Sequence, residues 1–157
     1  MVNVGIADLN VVKCPDVLAT YALGSCVGIC LYDAETKIAG LAHIMLPWSK
    51  DANSAADNMR RYADTGITEL IQRMCESGAK KYRLTAKIAG GAQMFSTNSA
   101  VFNIGERNVE AVKTVLDTYR IPIVAEQTGL NFGRTVFFYS EDGIMEVRAA
   151  TRPNVRV

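Results

Sequence analysis

Histidine is scarce in this sequence, since His43 is the only one among 157 residues. The four cysteines stand at positions 14, 26, 30 and 75, and no pair has the Cys-x-x-Cys spacing typical of zinc sites. Protein-bound zinc takes four ligands, mostly from cysteine and histidine. The pair Gly90-Gly91 is not followed by the Lys-Ser/Thr of a phosphate-binding loop. We therefore expect no metal, no nucleotide and no other cofactor.

An excess of charge of one sign is also missing. The 17 basic and 16 acidic residues give a net charge of +1, which argues against nucleic acid or an anionic membrane as the main partner. Residues 17–32 carry no charge, but this run is shorter than the roughly 20 residues needed to cross a bilayer. Residues 1–9 contain no lysine or arginine, so we expect no secretory signal. These features predict reduced thiols and a cytoplasmic protein without membrane insertion.

What is abundant is apolar sequence arranged in short runs. Hydrophobic residues make up 49% of the chain, which predicts one domain over residues 1–157. The patterns predict strands near residues 2–12, 18–23, 26–32, 38–46, 82–89, 122–127, 134–139 and 144–149. Two helices are predicted, the first capped by Asp57 and ended by Gly78, the second capped by Asn103. The expected fold class is α+β, with packed mixed or antiparallel sheets flanked by two main helices.

A reactive pair stands out in the predicted hairpin. Cys26 begins the strand at residues 26–32 after a Gly-Ser turn, and His43 lies late on the return strand at residues 38–46. Early positions of one hairpin strand lie opposite late positions of the other. A thiol beside an imidazole is the minimal pair for nucleophilic thiolate chemistry. The alternatives are that Cys26 is a small apolar core residue and that His43 is a core histidine with its hydrogen bonds satisfied.

Two further side chains could support the pair. The hydroxyl or carbonyl of Thr20 could orient the imidazole, as the third member of a catalytic triad does. The turn at Ser25 presents backbone N–H groups that could hold an oxyanion.

Five segments, in this order along the chain, resemble the chemoreceptor glutamine deamidase family, CheD. They are Leu23-Gly24-Ser25-Cys26-Val27-Gly28, Gly40-Leu41-Ala42-His43-Ile44-Met45-Leu46-Pro47, Lys87-Ile88-Ala89-Gly90-Gly91-Ala92, Asn103-Ile104-Gly105-Glu106-Arg107-Asn108 and Asn131-Phe132-Gly133-Arg134.

The resemblance implies an enzyme of chemotaxis adaptation that converts glutamine side chains of methyl-accepting receptors to glutamate and releases ammonia. It implies a Cys-His-Thr site at Cys26, His43 and Thr20. It also implies a fold similar to the catalytic domain of cytotoxic necrotizing factor toxins, and hydrolysis of receptor methyl esters by some members. A CheC-type phosphatase that acts on CheY is the implied second partner.

Other functions remain open at this stage. The protein could be mainly a non-catalytic regulatory partner of a CheC-type phosphatase, or a Cys-His amidase or peptidase of another specificity. The Trp48 loop and residues 95–102 are candidate walls of a groove for a receptor helix. One departure from the family pattern is Leu130, which stands where a second glycine is common, and it predicts altered receptor or partner contacts.

Overall fold

A computed structural model describes residues 1–52, 57–94 and 103–157 of the chain. It contains ten strands and two α-helices in these residues. The strands are β1 (Val2–Asn3), β2 (Asp8–Lys13), β3 (Val17–Leu23), β4 (Val27–Asp33), β5 (Ile38–Ile44), β6 (Thr85–Gly90), β7 (Ile123–Thr128), β8 (Arg134–Tyr139), β9 (Met145–Ala149) and β10 (Arg152–Arg156); the helices are α1 (Ala63–Glu76) and α2 (Ile104–Thr118). The expected α+β class is confirmed.

The strands form two five-stranded sheets. The first sheet has the order β1-β3-β8-β9-β10 and the second has the order β2-β5-β4-β6-β7. The pairs β1–β3 and β6–β7 are parallel, and the other pairs are antiparallel. The predicted hairpin of β4 and β5 is present, with Gly28 opposite His43 and Val27 opposite Ile44.

Two apolar cores hold three layers together. One core lies between the sheets, and Leu18, Leu41 and Phe138 are among its members. The other lies between the second sheet and the helices, where Ile29, Leu70 and Leu116 are buried. Every residue of β4 and β5 is buried, because these strands are covered on both faces. This explains why their sequences carry so little charge.

Several predicted boundaries were wrong. Asp57 does not cap α1, which begins six residues later at Ala63, because its carboxylate is bound by the Tyr62 hydroxyl and by Arg61 instead. Asn103 stands at the N-cap position of α2 but makes no capping hydrogen bond through its side chain. Residues 81–83 form a 3-10 turn, so β6 begins at Thr85.

Strand β10 was not predicted. It pairs only with β9 and is mostly exposed, so it needs no alternating apolar pattern, and Pro153 is tolerated at such an edge. No helix in the described ranges has the length and apolar character that a membrane span requires.

Candidate active site

His43 is held in the interior between the two sheets. Its side chain is fully buried, and its Nδ1 lies 2.7 Å from the hydroxyl oxygen of Thr20. His43 belongs to the second sheet and Thr20 to the first. The structure therefore brings these two predicted residues together by packing one sheet against the other.

The hydrogen bonds of Thr20 fix the tautomer of the imidazole. Thr20 Oγ1 lies 2.7 Å from the carbonyl oxygen of Val4, which can only accept a hydrogen bond. The single hydroxyl proton is therefore donated to Val4, and Oγ1 accepts a proton from His43 Nδ1. In the neutral ring the lone pair then resides on Nε2. This atom is buried and has no hydrogen-bond partner among the described residues, so it is free to act as a base.

Cys26 lies in the turn between β3 and β4, one residue before β4 begins. It stands two residues before Gly28, the position directly opposite His43. Since side chains alternate along a strand, positions 26 and 28 share the face from which His43 projects. The thiol is partly exposed and packs against the core between the sheets. Cys26 and His43 therefore face the same core, and no hydrogen bond joins the thiol to His43 Nε2 in the structure of the described residues.

Glycine at position 28 keeps this face open. A Cβ there would lie 3.2 Å from Leu23 Cδ1 and 3.7 Å from Thr20 Cγ2. A side chain would therefore press on Leu23 and fill the space next to Thr20, the residue that orients the imidazole.

The turn that carries Cys26 is anchored through its carbonyl groups. Three successive carbonyl oxygens accept hydrogen bonds: Gly24 from Ala92 N–H at 2.8 Å, Ser25 from Asn108 Nδ2 at 2.9 Å, and Cys26 from Gly91 N–H at 2.8 Å. The N–H groups of Ser25 and Cys26 donate no hydrogen bond to a backbone carbonyl of a described residue, and that of Cys26 interacts with its own thiol. These two N–H groups can therefore hold an oxyanion, which is the role predicted for the turn at Ser25.

Gly90 allows the close approach behind the nucleophile. Its φ of +107° lies in the region that favours glycine, and a Cβ would lie 2.3 Å from the Cys26 carbonyl oxygen. Any other residue at this position would push the Cys26 turn out of place.

Asn108 is a residue of this site to which the sequence analysis gave no role. It is fully buried on α2, and its Nδ2 donates to the carbonyls of Ser25 and Met45, both at 2.9 Å. One side chain thus joins the residue before Cys26 to the residue two after His43. A polar residue on the apolar stripe of α2, beside Ala111 and Val112, was the signal that could have revealed it.

Burial keeps both reactive groups uncharged at rest. It raises the pKa of the Cys26 thiol, an effect that the residue's own backbone N–H partly offsets. It lowers the pKa of His43 to about 4. At neutral pH the site therefore holds a thiol and a neutral imidazole, with the basic nitrogen ready to take a proton during attack.

The other predicted contributors lie at different places. Trp48 is partly buried against the core beneath the helices, and residues 95–102 lie outside the described residues. Leu130 is 63% exposed. Among the described residues no cluster of three or more His, Cys, Asp or Glu side chains could hold a metal ion.

Comparison with known proteins gives one consistent family. The family described as CheD chemotactic sensory transduction matches residues 45–149. A protein of Caldanaerobacter subterraneus named "Probable chemoreceptor glutamine deamidase CheD" is 56% identical, covering 94% of this chain and 92% of its own. One of Lachnoclostridium phytofermentans with the same name is 48% identical over 100% and 98% of the two chains. The "Chemoreceptor glutamine deamidase CheD" of Halalkalibacterium halodurans is 49% identical over 94% and 93%.

A solved structure shares the fold. It is the crystal structure of the Bacillus licheniformis hypothetical protein YfiH, with a TM-score of 0.51 and 16% identity. The match covers 79% of this chain and about half of that protein, 51%. The family match begins after His43, but the relatives extend over nearly the whole chain and so over the segment that holds Thr20, Cys26 and His43. The chain belongs to the CheD family.

Proposed function

We propose that this protein is a chemoreceptor glutamine deamidase in which Cys26 is the nucleophile, His43 the base and Thr20 the residue that orients His43. The observation that carries the proposal is the hydrogen-bond chain from Val4 through Thr20 to His43. It leaves a basic nitrogen without a partner among described residues, on the sheet face that Cys26 shares. The names of the relatives supply the substrate, a receptor glutamine.

The reaction begins with proton transfer from the Cys26 thiol to His43 Nε2 as the sulfur attacks the side-chain amide carbon of glutamine. The carbonyl oxygen becomes an oxyanion, which the N–H groups of Cys26 and Ser25 stabilise. Imidazolium His43 then returns the proton to the departing nitrogen, and ammonia leaves. This step produces a thioester between Cys26 and the substrate.

Water completes the cycle. His43 Nε2 takes a proton from the water that attacks the thioester, the thiolate leaves and takes this proton back from the imidazolium, and glutamate is released. Throughout the cycle Thr20 accepts from Nδ1–H, because its own proton is committed to the Val4 carbonyl. The ring therefore keeps one orientation in both charge states. Methyl-ester hydrolysis needs the same steps with methanol as the leaving group, so we include it as a second reaction of this site.

Mass spectrometry of a receptor cytoplasmic fragment tests the activity. Wild-type protein should convert glutamine to glutamate, a gain of about 1 Da for each amide replaced by a carboxyl group. Cys26→Ala should abolish the conversion, and Cys30→Ala is the matched control because Cys30 is a buried thiol on β4 without a role in the mechanism. Conversion by Cys26→Ala protein at the wild-type rate would contradict the proposal.

Alkylation separates catalysis from a purely regulatory role. The exposed thiols of Cys14 and Cys75 serve as internal standards. If His43 activates Cys26, His43→Ala should slow the reaction of Cys26 with iodoacetamide and leave the two standards unchanged. An equal rate at Cys26 in both proteins would favour the alternative, a non-catalytic partner of a phosphatase.

We also propose the cytoplasm as the compartment and a CheC-type phosphatase as a second partner. The four cysteines are all free thiols, which is the usual state in a reducing compartment. The phosphatase is supported by family membership alone, and co-purification from the source cell is its test. Failure to recover a phosphatase in amounts comparable to the protein would contradict that partner.

A further inference from the structure

A cavity of about 340 Å³ lies between the end of β7, the loop that follows it and the strands β8 to β10. Its lining includes the apolar side chains of Leu130, Phe132 and Val147 together with Arg134 and Arg152. This volume is within the range of protein pockets that hold small groups. The segment Asn131-Phe132-Gly133-Arg134, which the mechanism does not use, supplies two of the lining residues, Phe132 and Arg134.

Two positive charges face this cavity without a compensating carboxylate. In the parts of the chain that the structure describes, neither Arg134 nor Arg152 forms an ion pair. Both guanidinium carbons lie 4.2 Å from the centre of the Phe132 ring, so they are at most twice that distance apart. Glu126, which also lines the cavity, is already bound by Lys113 at 3.0 Å.

Arg134 is the more unusual of the two, because it is only 3% exposed. Its Nη1 donates to the carbonyl oxygens of Gly90 at 3.3 Å and Gly129 at 3.0 Å. These are neutral acceptors, so the buried charge is hydrogen-bonded but not neutralised. Burial, and then the charge of Arg152, lower the pKa of Arg134. A cation in this state gains more from an anionic ligand than an exposed arginine does.

We propose that this cavity binds a carboxylate side chain of the protein whose glutamine is modified. A guanidinium presents a fork of donors that matches a carboxylate, and the apolar wall suits the methylene groups that carry it. The proposal rests on the proposed function, because it names a feature of the same protein substrate.

A single peptide unit connects the cavity with the nucleophile. The carbonyl oxygen of Gly90 accepts from Arg134, and the N–H of the same unit, from Gly91, donates to the Cys26 carbonyl. The two groups point in opposite directions from one peptide plane. A carboxylate bound at Arg134 and Arg152 would therefore belong to a residue close to the reacting glutamine.

Leu130 gives an independent reason to place a protein ligand here. It has a φ of +60°, which leucine adopts unfavourably, and it is 63% exposed. Contact with the aliphatic part of a bound segment gives the exposed side chain a partner at the rim of the cavity.

The test uses Arg152→Gln, since Arg152 is exposed and its replacement leaves the buried Arg134 in place. With a chemoreceptor cytoplasmic fragment from the same organism, we expect KM to rise about tenfold, and kcat to change much less. Arg120→Gln is the matched control, because Arg120 is an exposed arginine at the end of α2 that does not line the cavity. It should leave KM unchanged.

The substrate carboxylate is found by replacing each glutamate near the modified glutamine with glutamine. One replacement should raise KM as much as Arg152→Gln does, and combining the two should raise it no further. Fully additive effects at every glutamate would overturn the proposal. A second result would also overturn the proposal: glutarate at millimolar concentration inhibits competitively, while Arg152→Gln leaves KM for the receptor fragment unchanged. The cavity would then bind a free small anion.

Binding measurements keep this test separate from the proposed function. The affinity of Cys26→Ala protein for the receptor fragment is compared with that of Cys26→Ala/Arg152→Gln protein. Weaker binding by the double variant supports the carboxylate site even if the wild type shows no deamidation. Equal binding overturns the site even if deamidation is observed.

Discussion

The buried neutral state of His43 predicts how the stability of the protein depends on pH. In the folded protein burial lowers the pKa of His43 to about 4, whereas an unfolded histidine has a pKa of about 6.5. Between these values the unfolded chain binds more protons than the folded protein. The free energy of unfolding therefore rises with pH in this window. The contribution of His43 is complete above pH 6.5 and is lost as the pH falls towards 4.

The size of the effect follows from the two pKa values. Between pH 7.5 and pH 4.5 proton binding at this one site lowers the free energy of unfolding by about 2.5 kcal/mol. Carboxylates also contribute in acid. Burial would raise the pKa of Asp33, but hydrogen bonds from Arg83 and from backbone N–H groups hold it at about 2. The contribution of His43 must therefore be isolated by comparison with a variant.

Urea unfolding of the wild type and of His43→Gln at pH 7.5 and 4.5 makes this comparison. The wild type should lose about 2.5 kcal/mol more than the variant between the two pH values. A resting pair of thiolate and imidazolium would raise the folded pKa of His43 above 6.5. The wild type would then lose less than the variant, and that opposite sign would refute a neutral resting site.

Three substitutions test the supports of the site. Thr20→Val should reduce kcat for deamidation about tenfold or more, because Nδ1–H of His43 loses its acceptor. Thr20→Ser keeps the hydroxyl and should retain most activity. Equal rates in the two variants would contradict the orienting role of Thr20. Asn108→Ala should destabilise the protein by about 2–4 kcal/mol in urea unfolding, since the Ser25 and Met45 carbonyls lose their donor, and a cost below about 1 kcal/mol would count against the clamp. Leu130→Gly should change the free energy of unfolding by less than about 1 kcal/mol. It should also weaken binding of the receptor fragment, measured by titration calorimetry. Unchanged affinity would exclude a contact between Leu130 and the receptor.

Local order in the chain explains what could be predicted from sequence. Strands β4 and β5 are joined by a short turn, so the hairpin that sets Gly28 opposite His43, two residues after Cys26, could be predicted from local sequence. Both strands are buried along their whole length, and their apolar sequences contain one charged residue, Asp33. The wrong helix start at Asp57 depends on side-chain partners, and the missed strand β10 lies at the edge of a sheet. Neither feature leaves a clear signal in a hydrophobic pattern.

Contacts between distant segments could not be obtained in this way. Thr20 was proposed as an orienting residue, but its meeting with Nδ1 depends on how the two sheets pack, across 23 residues of sequence. Asn108 reaches Ser25 across 83 residues, and only a buried polar residue on a helix hinted at it. The charged cavity needs β9 and β10, and β10 was missed.

The layered architecture makes the site a meeting point of all three layers. The first sheet supplies Thr20, the second supplies His43 and the strand that follows Cys26, and the helix layer supplies Asn108. The orientation of the imidazole therefore depends on inter-sheet packing, and the position of the nucleophile depends on how α2 packs on the second sheet. Because protein interiors respond to small changes in volume, a cavity in either core can disturb the site without touching it.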